Sequence, residues 1–280
     1  MSANIMQFKA RIRNLAQEEG IPAQVVLQNF MFERFFARLC KSTVRENLIL
    51  KGGTLISQYL GLSRRTTMDI DLTMANASLT ETTVSALIQS VFSVKLNDNV
   101  RWSLNALEHI RSEDQYGGYR AKIVATLDSI AVPFSIDIST GDAITPEPED
   151  YFFRSAFEKN AFYSLRAYTI ETVLAEKLEA ILSLGVLSTR PRDYYDVYML
   201  STVLKHSEAR LKAAFVATIH HRGSEAIYRD GANILAEISR SEIMKNRWEK
   251  YRQQFSFAKH ISFKQICNQL IMLFDGITAC

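Results

Sequence analysis

Apolar and polar positions recur along this chain with two periods, and the changes from one to the other outline its elements. Residues 4–46 read as helical: Leu15 and Ala16, then Val25, Val26, Phe30, Phe32, Phe36 and Leu39 recur near helical spacing. Gly20-Ile21-Pro22 breaks this run into two helices. Leu48-Ile49-Leu50 predicts a short strand leading into a glycine turn at Gly52-Gly53. A short helix follows from Thr54 to Leu60, with Gly61 suited to end it, and then a basic loop from Ser63 to Thr67. Thr80 begins a helix through about Ser93, with Val84, Leu87, Ile88 and Val91 on its apolar face. From about Val100 to Ser139 the period drops to two, and Gly117-Gly118 supplies a hairpin turn. The segment Thr145-Pro146-Glu147-Pro148-Glu149-Asp150 predicts a boundary, because its prolines and acids do not continue a strand. After about Thr169 nearly everything reads as helix. The pattern predicts an α+β fold: an N-terminal α/β domain over residues 1–150, a mainly helical domain over 151–280, and a site between them.

Chemistry enters on the strands. In Met68-Asp69-Ile70-Asp71-Leu72-Thr73, alternation sends Met68, Ile70 and Leu72 toward a core and Asp69 and Asp71 the other way. Adjacent carboxylates repel unless a cation sits between them. Taken alone, the pair also fits a solvated strand face. The run Val132-Pro133-Phe134-Ser135-Ile136-Asp137-Ile138-Ser139 alternates in the same way, with Phe134, Ile136 and Ile138 opposite Asp137. If the two strands are sheet neighbours, the carboxylates converge on one face, as two-metal phosphoryl chemistry requires. Just upstream, Lys51-Gly52-Gly53-Thr54 offers backbone N–H groups that can cradle phosphates. Mg²⁺ is the ion that phosphate and carboxylate oxygens together favour.

Two later segments carry charge in unusual places. The helix from Ile170 has an apolar stripe of Ile170, Val173, Leu174, Leu178, Ile181, Leu182 and Leu184, and Lys177 falls inside it while Glu176 and Glu179 fall outside. A lysine on a packed face has a partner, lines a cleft as a phosphate ligand, or snorkels to water. Arg190-Pro191-Arg192-Asp193-Tyr194-Tyr195-Asp196 puts Asp193 and Asp196 on one helix face. There the helix dipole favours acids, and either acid is also placed to position Lys177 or an arginine. From Arg240 to Lys259, cations interleave with Trp248, Tyr251, Phe255 and Phe257. That stretch suits an RNA backbone and its bases, but a charged helix with an aromatic core face is the commoner outcome.

Composition narrows the class. With 280 residues and 47% apolar content, the chain builds a real core. No stretch approaches the roughly 18 apolar residues of a membrane span, and the N-terminus is amphipathic rather than a secretory signal. Cys40, Cys267 and Cys280 are too far apart for a zinc motif or a disulfide framework, which agrees with a reducing cytoplasm. The histidines form no metal motif, and His220-His221 reads as structural. A net charge of +3 permits a nucleic-acid partner without requiring one.

Together these motifs resemble a family. The order is Glu33-Arg34-Phe35-Phe36-Ala37-Arg38-Leu39, Leu50-Lys51-Gly52-Gly53-Thr54, Arg65-Thr66-Thr67-Met68-Asp69-Ile70-Asp71-Leu72, Ile136-Asp137-Ile138, Leu174-Ala175-Glu176-Lys177-Leu178 and Arg192-Asp193-Tyr194-Tyr195-Asp196. It resembles the AbiEii/AbiGii-type nucleotidyltransferase toxins of the DNA polymerase beta-like superfamily. The likeness runs from about residue 10 to about residue 200, and beyond that the chain is similar only in being helical.

The resemblance implies a nucleotidyltransferase-like mixed sheet flanked by helices, with a C-terminal helical domain closing the active site. It implies that Lys51, Gly52, Gly53 and Thr54 contact the triphosphate and that Asp69, Asp71 and Asp137 bind Mg²⁺. Asp137 would also help deprotonate the acceptor hydroxyl, Lys177 would hold the triphosphate, Asp193 would complete the site, and Arg65 would add a phosphate contact. One departure is Thr54 where the superfamily has serine, with residues 55–68 making a longer gap before Asp69. The family further implies an NTP donor, a toxin of a toxin–antitoxin or abortive-infection module with a cognate antitoxin, and the 3′ end of tRNA as leading acceptor. A protein side chain, a small molecule such as an antibiotic, or nucleotide binding without turnover are the competing expectations.

Overall fold

The computed structural model describes residues 3–110, 117–158 and 160–279. Two helices open the chain, α1 (Ala3–Glu19) and α2 (Ala23–Leu39), separated at the expected Gly20-Ile21-Pro22 break. There follow β1 (Leu48–Lys51), α3 (Gly52–Leu60), β2 (Asp69–Met74) and α4 (Glu81–Ser93), the last capped by the Thr80 hydroxyl. Five strands then run in succession: β3 (Val100–Ile110), β4 (Gly118–Leu127), β5 (Ile130–Ser139), β6 (Glu149–Arg154) and β7 (Phe162–Ala167). They join one seven-stranded mixed sheet in the order β3-β4-β5-β2-β1-β7-β6. β2 lies parallel to β5 and β1 parallel to β7, and the remaining pairs are antiparallel.

The chain divides into two compact units, residues 1–142 with 149–167 and residues 143–148 with 168–280. The expected boundary at residue 150 falls inside β6. Glu149 and Asp150 continue as strand because β6 is the sheet's edge, where both acids face solvent and Asp150 meets Arg45. Of the expected turn at Gly117-Gly118, Gly118 is a strand residue paired with Ile110 and Ser139, and residues 111–116 lie outside the described residues.

In the first unit α2 supplies the aromatic core. Phe32 meets Phe134 edge-on at 5.1 Å, Phe36 meets Phe153 at 5.4 Å, and Phe35 meets Trp102 at 6.1 Å. The same helix buries charge. Arg38 grips Asp98 with two hydrogen bonds of 2.7 Å. Glu33 accepts from the Ser155 hydroxyl and the Ala156 N–H, and Arg34 pairs with Glu158 and Tyr163. These residues of the family-like motif tie α2 to the loops beside β3 and β6.

The second unit is helical: α5 (Ile170–Leu184), α6 (Pro191–Val203), α7 (Glu208–His221), α8 (Ala226–Arg240), α9 (Glu242–Gln254) and α10 (Phe263–Thr278). α5 packs against α6, α7 and α8. The basic-aromatic stretch turns its rings inward. Trp248 is buried and donates its ring N–H to the Ile261 carbonyl at 2.9 Å, and Tyr251 packs against Phe255 and Phe257. Two of its arginines are engaged too: Arg252 pairs with Glu249, and Arg247 donates to the Val186 and Ser188 carbonyls. Residues 240–259 therefore form a packed face with solvated charge.

Asp98→Ala is expected to cost about 3 kcal/mol in urea unfolding, because it strands the buried Arg38 guanidinium. Burial alone would raise the Asp98 pKa, but the Arg38 hydrogen bonds and the Val100 N–H hold it below the usual carboxylate range. The pair's contribution is therefore full above that range and is lost as pH falls through the lowered value. Acid titration of stability in wild type and variant should converge at low pH.

Candidate active site

Register decides the site. In the parallel pairing of β2 with β5, Asp71 stands opposite Asp137 and Asp69 opposite Ser135. Ile70, Leu72, Ile136 and Ile138 are fully buried beneath, so the carboxylates share the other face. One oxygen each of Asp69, Asp71 and Asp137 lies within 4.8 Å of the others. The inward placement expected for Met68 is corrected: it precedes the strand and is 52% exposed. Sheet pairing begins only at Asp69, and the Met68 carbonyl is taken by the Gln28 side chain instead.

The glycines are not a turn before a helix but its first residues. Gly52 has φ +60°, and a Cβ there would lie 2.2 Å from an Asp71 oxygen. No larger residue fits without moving Asp71. The Gly53 N–H donates to Asp71 Oδ2 at 2.9 Å, so the start of α3 faces a carboxylate. Thr54 donates to the Asp69 carbonyl at 2.6 Å, and Thr67 donates to the Asp69 carboxylate at 2.8 Å. Arg65 is buried, with a guanidinium nitrogen 3.3 Å from where a Gly53 Cβ would sit. Lys51 lies opposite Asp71 in the β1–β2 pairing, donates to Ser139 Oγ at 2.7 Å and pairs with Asp142.

Sequence reasoning missed Asp142 and Arg120. Asp142 gathers Lys51 and the Thr73 hydroxyl, the latter at 2.6 Å. Arg120 stands opposite Asp137 in the β4–β5 pairing and donates to both its oxygens, at 2.8 and 2.7 Å. A signal for it was present: Arg120 and Lys122 alternate with Ala121, Ile123 and Ala125, so β4 carries cations on its polar face.

The electrostatics follow the geometry. Burial raises the Asp71 pKa, and Asp69 raises it further. The Gly53 N–H and Lys51 oppose the shift. Arg120 is driven more firmly to its charged form by the Asp137 hydrogen bonds and charge.

In the second unit Lys177 finds carboxylate partners. Its amino group contacts Asp193 at 2.7 Å and Asp196 at 2.9 Å, with the side chain 14% exposed. Burial would lower the Lys177 pKa, but the two acids, Asp196 foremost, hold it above the usual lysine value. Asp193 also accepts from Arg190 at 2.7 Å. Glu179, expected outside the stripe, is buried, because Arg222, Ser224 and Ser183 all reach it.

Comparison with known proteins adds a family. A family model described as nucleotidyl transferase AbiEii toxin, type IV toxin–antitoxin system, matches residues 34–269. Among solved structures, JHP933 from Helicobacter pylori is 16% identical, with 91% of this chain and 92% of that chain covered and a TM-score of 0.49. A presumed nucleotidyltransferase from H. pylori is 15% identical, with 92% and 96% covered and a TM-score of 0.48. None of the curated proteins compared with the chain matches it.

Two outcomes are expected. Gly52→Ala should lower stability by about 2 kcal/mol in thermal or urea unfolding, since the strained backbone and the Asp71 clash act together. Asp71→Asn should melt at or above the wild-type temperature at neutral pH without divalent ions. A raised pKa in the folded state means that ionised Asp71 opposes folding, so the advantage of the amide should shrink as pH falls below that raised value and vanish below the ordinary aspartate range of the unfolded chain.

Proposed function

For a chain that belongs to the AbiEii nucleotidyl transferase toxin family of type IV toxin–antitoxin systems, we propose Mg²⁺-dependent transfer of a nucleoside monophosphate from an NTP to the 3′ hydroxyl of tRNA. The observation that carries the reading is the convergence of Asp69, Asp71 and Asp137 within 4.8 Å. Its donors are all carboxylate oxygens, the set that suits a hard divalent cation. Asp69, Asp71 and Asp137 would hold that cation, which neutralises triphosphate charge and favours an ionised acceptor hydroxyl.

The chain's own groups divide the remaining work. Gly52, Gly53 and Thr54 at the start of α3 would approach the phosphates, with Arg65 and Lys51 adding positive charge. Asp137 takes the proton as the acceptor oxygen bonds to the α-phosphorus. The bond to the β-phosphate breaks, and its electron pair leaves with pyrophosphate. The proposal keeps Lys177 as a triphosphate ligand and Asp193 as the group that orients it, in line with their 2.7 Å contact. Family membership implies a cognate antitoxin. The proposal puts the reaction in the cytoplasm, where NTPs and tRNA are found; separately, among the described residues no helix is long and apolar enough to cross a membrane.

The test is incubation of purified protein with each labelled NTP, Mg²⁺ and total tRNA. Label should enter tRNA for at least one nucleotide. Asp69→Ala should reduce transfer by about 100-fold or more while the melting temperature stays nearly unchanged. Label in protein or small-molecule fractions alone would move the acceptor there, and NTP binding without pyrophosphate release would reduce the protein to a nucleotide-binding regulator.

A further inference from the structure

The contacts of the acid cluster are unequal. Asp69 and Asp71 receive neutral donors, the Thr67 hydroxyl and the Gly53 N–H. Asp137 receives a full positive charge, in a bidentate grip at 2.8 and 2.7 Å. Both oxygens of the third carboxylate are therefore directed at an arginine. An incoming cation has to share or take them, because a guanidinium and a divalent ion repel at that range.

Arg120 is built to yield. It stands on β4 beside Asp137, and its side chain is 42% exposed while that of Asp137 is 18% exposed. The guanidinium therefore has water on one side and can withdraw without breaking buried contacts. Asp137 has no such freedom, since its strand is locked between β2 and β4. The charges point the same way. Arg120 brings a cation into direct contact with a cluster of like-charged groups in which burial and Asp69 already penalise ionised Asp71.

We propose that Arg120 is a positioning residue, the built-in counter-cation of the cluster: it holds Asp137 aimed at Asp69 and Asp71 when no divalent ion is present and is displaced when one binds. This rests on the metal reading given above. It assigns Arg120 a role distinct from substrate binding. The arginine sets how much cation is needed to load the site and keeps the empty cluster from repelling itself apart.

The test is calorimetric titration of the full chain with Mn²⁺, a stand-in for Mg²⁺, without nucleotide, together with thermal melts. Arg120→Ala should bind Mn²⁺ about three- to ten-fold more tightly than wild type, because the ion no longer competes with a half-exposed guanidinium. Its metal-free melting temperature should fall, and saturating Mn²⁺ should restore it to the wild-type value. Arg120→Lys, which keeps the charge but not the two-point grip, should fold like wild type and bind Mn²⁺ with intermediate affinity. Mn²⁺ affinity that is unchanged or weaker in both variants overturns the inference and leaves Arg120 as an ordinary cross-strand pair. Mn²⁺ binding that survives Asp69→Asn overturns the metal reading itself, and the role of Arg120 with it.

Discussion

Like-charge repulsion at the β2–β5 seam is the constraint around which the first unit is arranged. Parallel pairing in this register places Asp71 beside Asp137, and the alternation of β2 adds Asp69. Such a cluster raises the free energy of the folded chain unless neighbouring groups answer it. The answers surround it. Gly52 lacks the Cβ that would collide with Asp71, and Gly53 turns its N–H toward the same carboxylate. Thr67 serves Asp69, and Arg120 serves Asp137. The glycines are thus required by a side chain on the next strand rather than by a turn of their own.

Elsewhere the chain buries charge differently. Arg38 is matched by Asp98, Arg34 by Glu158, and Lys177 is held by Asp193 and Asp196. In each case opposite charges meet directly, which lets an ion stay in a low-dielectric setting. The acid cluster on β2 and β5 departs from this rule. Arg120 grips Asp137, the Gly53 N–H and the Thr67 hydroxyl are neutral donors to Asp71 and Asp69, and Lys51 acts on Asp71 through its charge. The contrast between this group and the paired ions elsewhere is the physical ground on which we propose that a cation is added there from solution.

In the helical unit geometry decides between two readings that composition leaves open, in favour of the aromatic core face expected as the commoner outcome. Residues 240–259 combine cations and rings in a proportion that suits RNA, yet Trp248 and Tyr251 are core residues and Arg247 and Arg252 satisfy backbone carbonyls. The rings face inward because burying aromatic area outweighs what water gains from them. The lysine on the apolar face of α5 behaves likewise. Periodicity alone flags Lys177 as out of place, and the packing of α6 against α5 supplies its partners.

Local pattern was enough for much of this protein. Helical spacing located α2, α4 and α5, and strict alternation placed Asp69, Asp71 and Asp137 on polar strand faces, since side-chain direction along one element follows from its period. Pattern failed where a residue's environment comes from another strand. Met68 lost its inward place because pairing began one residue later, and Glu149 and Asp150 stayed in a strand because that strand is an edge. Arg120 and Asp142 escaped notice for the same reason, as no spacing along the chain says which strands lie side by side. The carboxylates and their faces belong to the sequence. Their convergence, the arginine that answers one of them and the Cβ that Gly52 must lack arise only when β1, β2, β4 and β5 are laid in register, because charge interactions depend on distance in space and not along the chain.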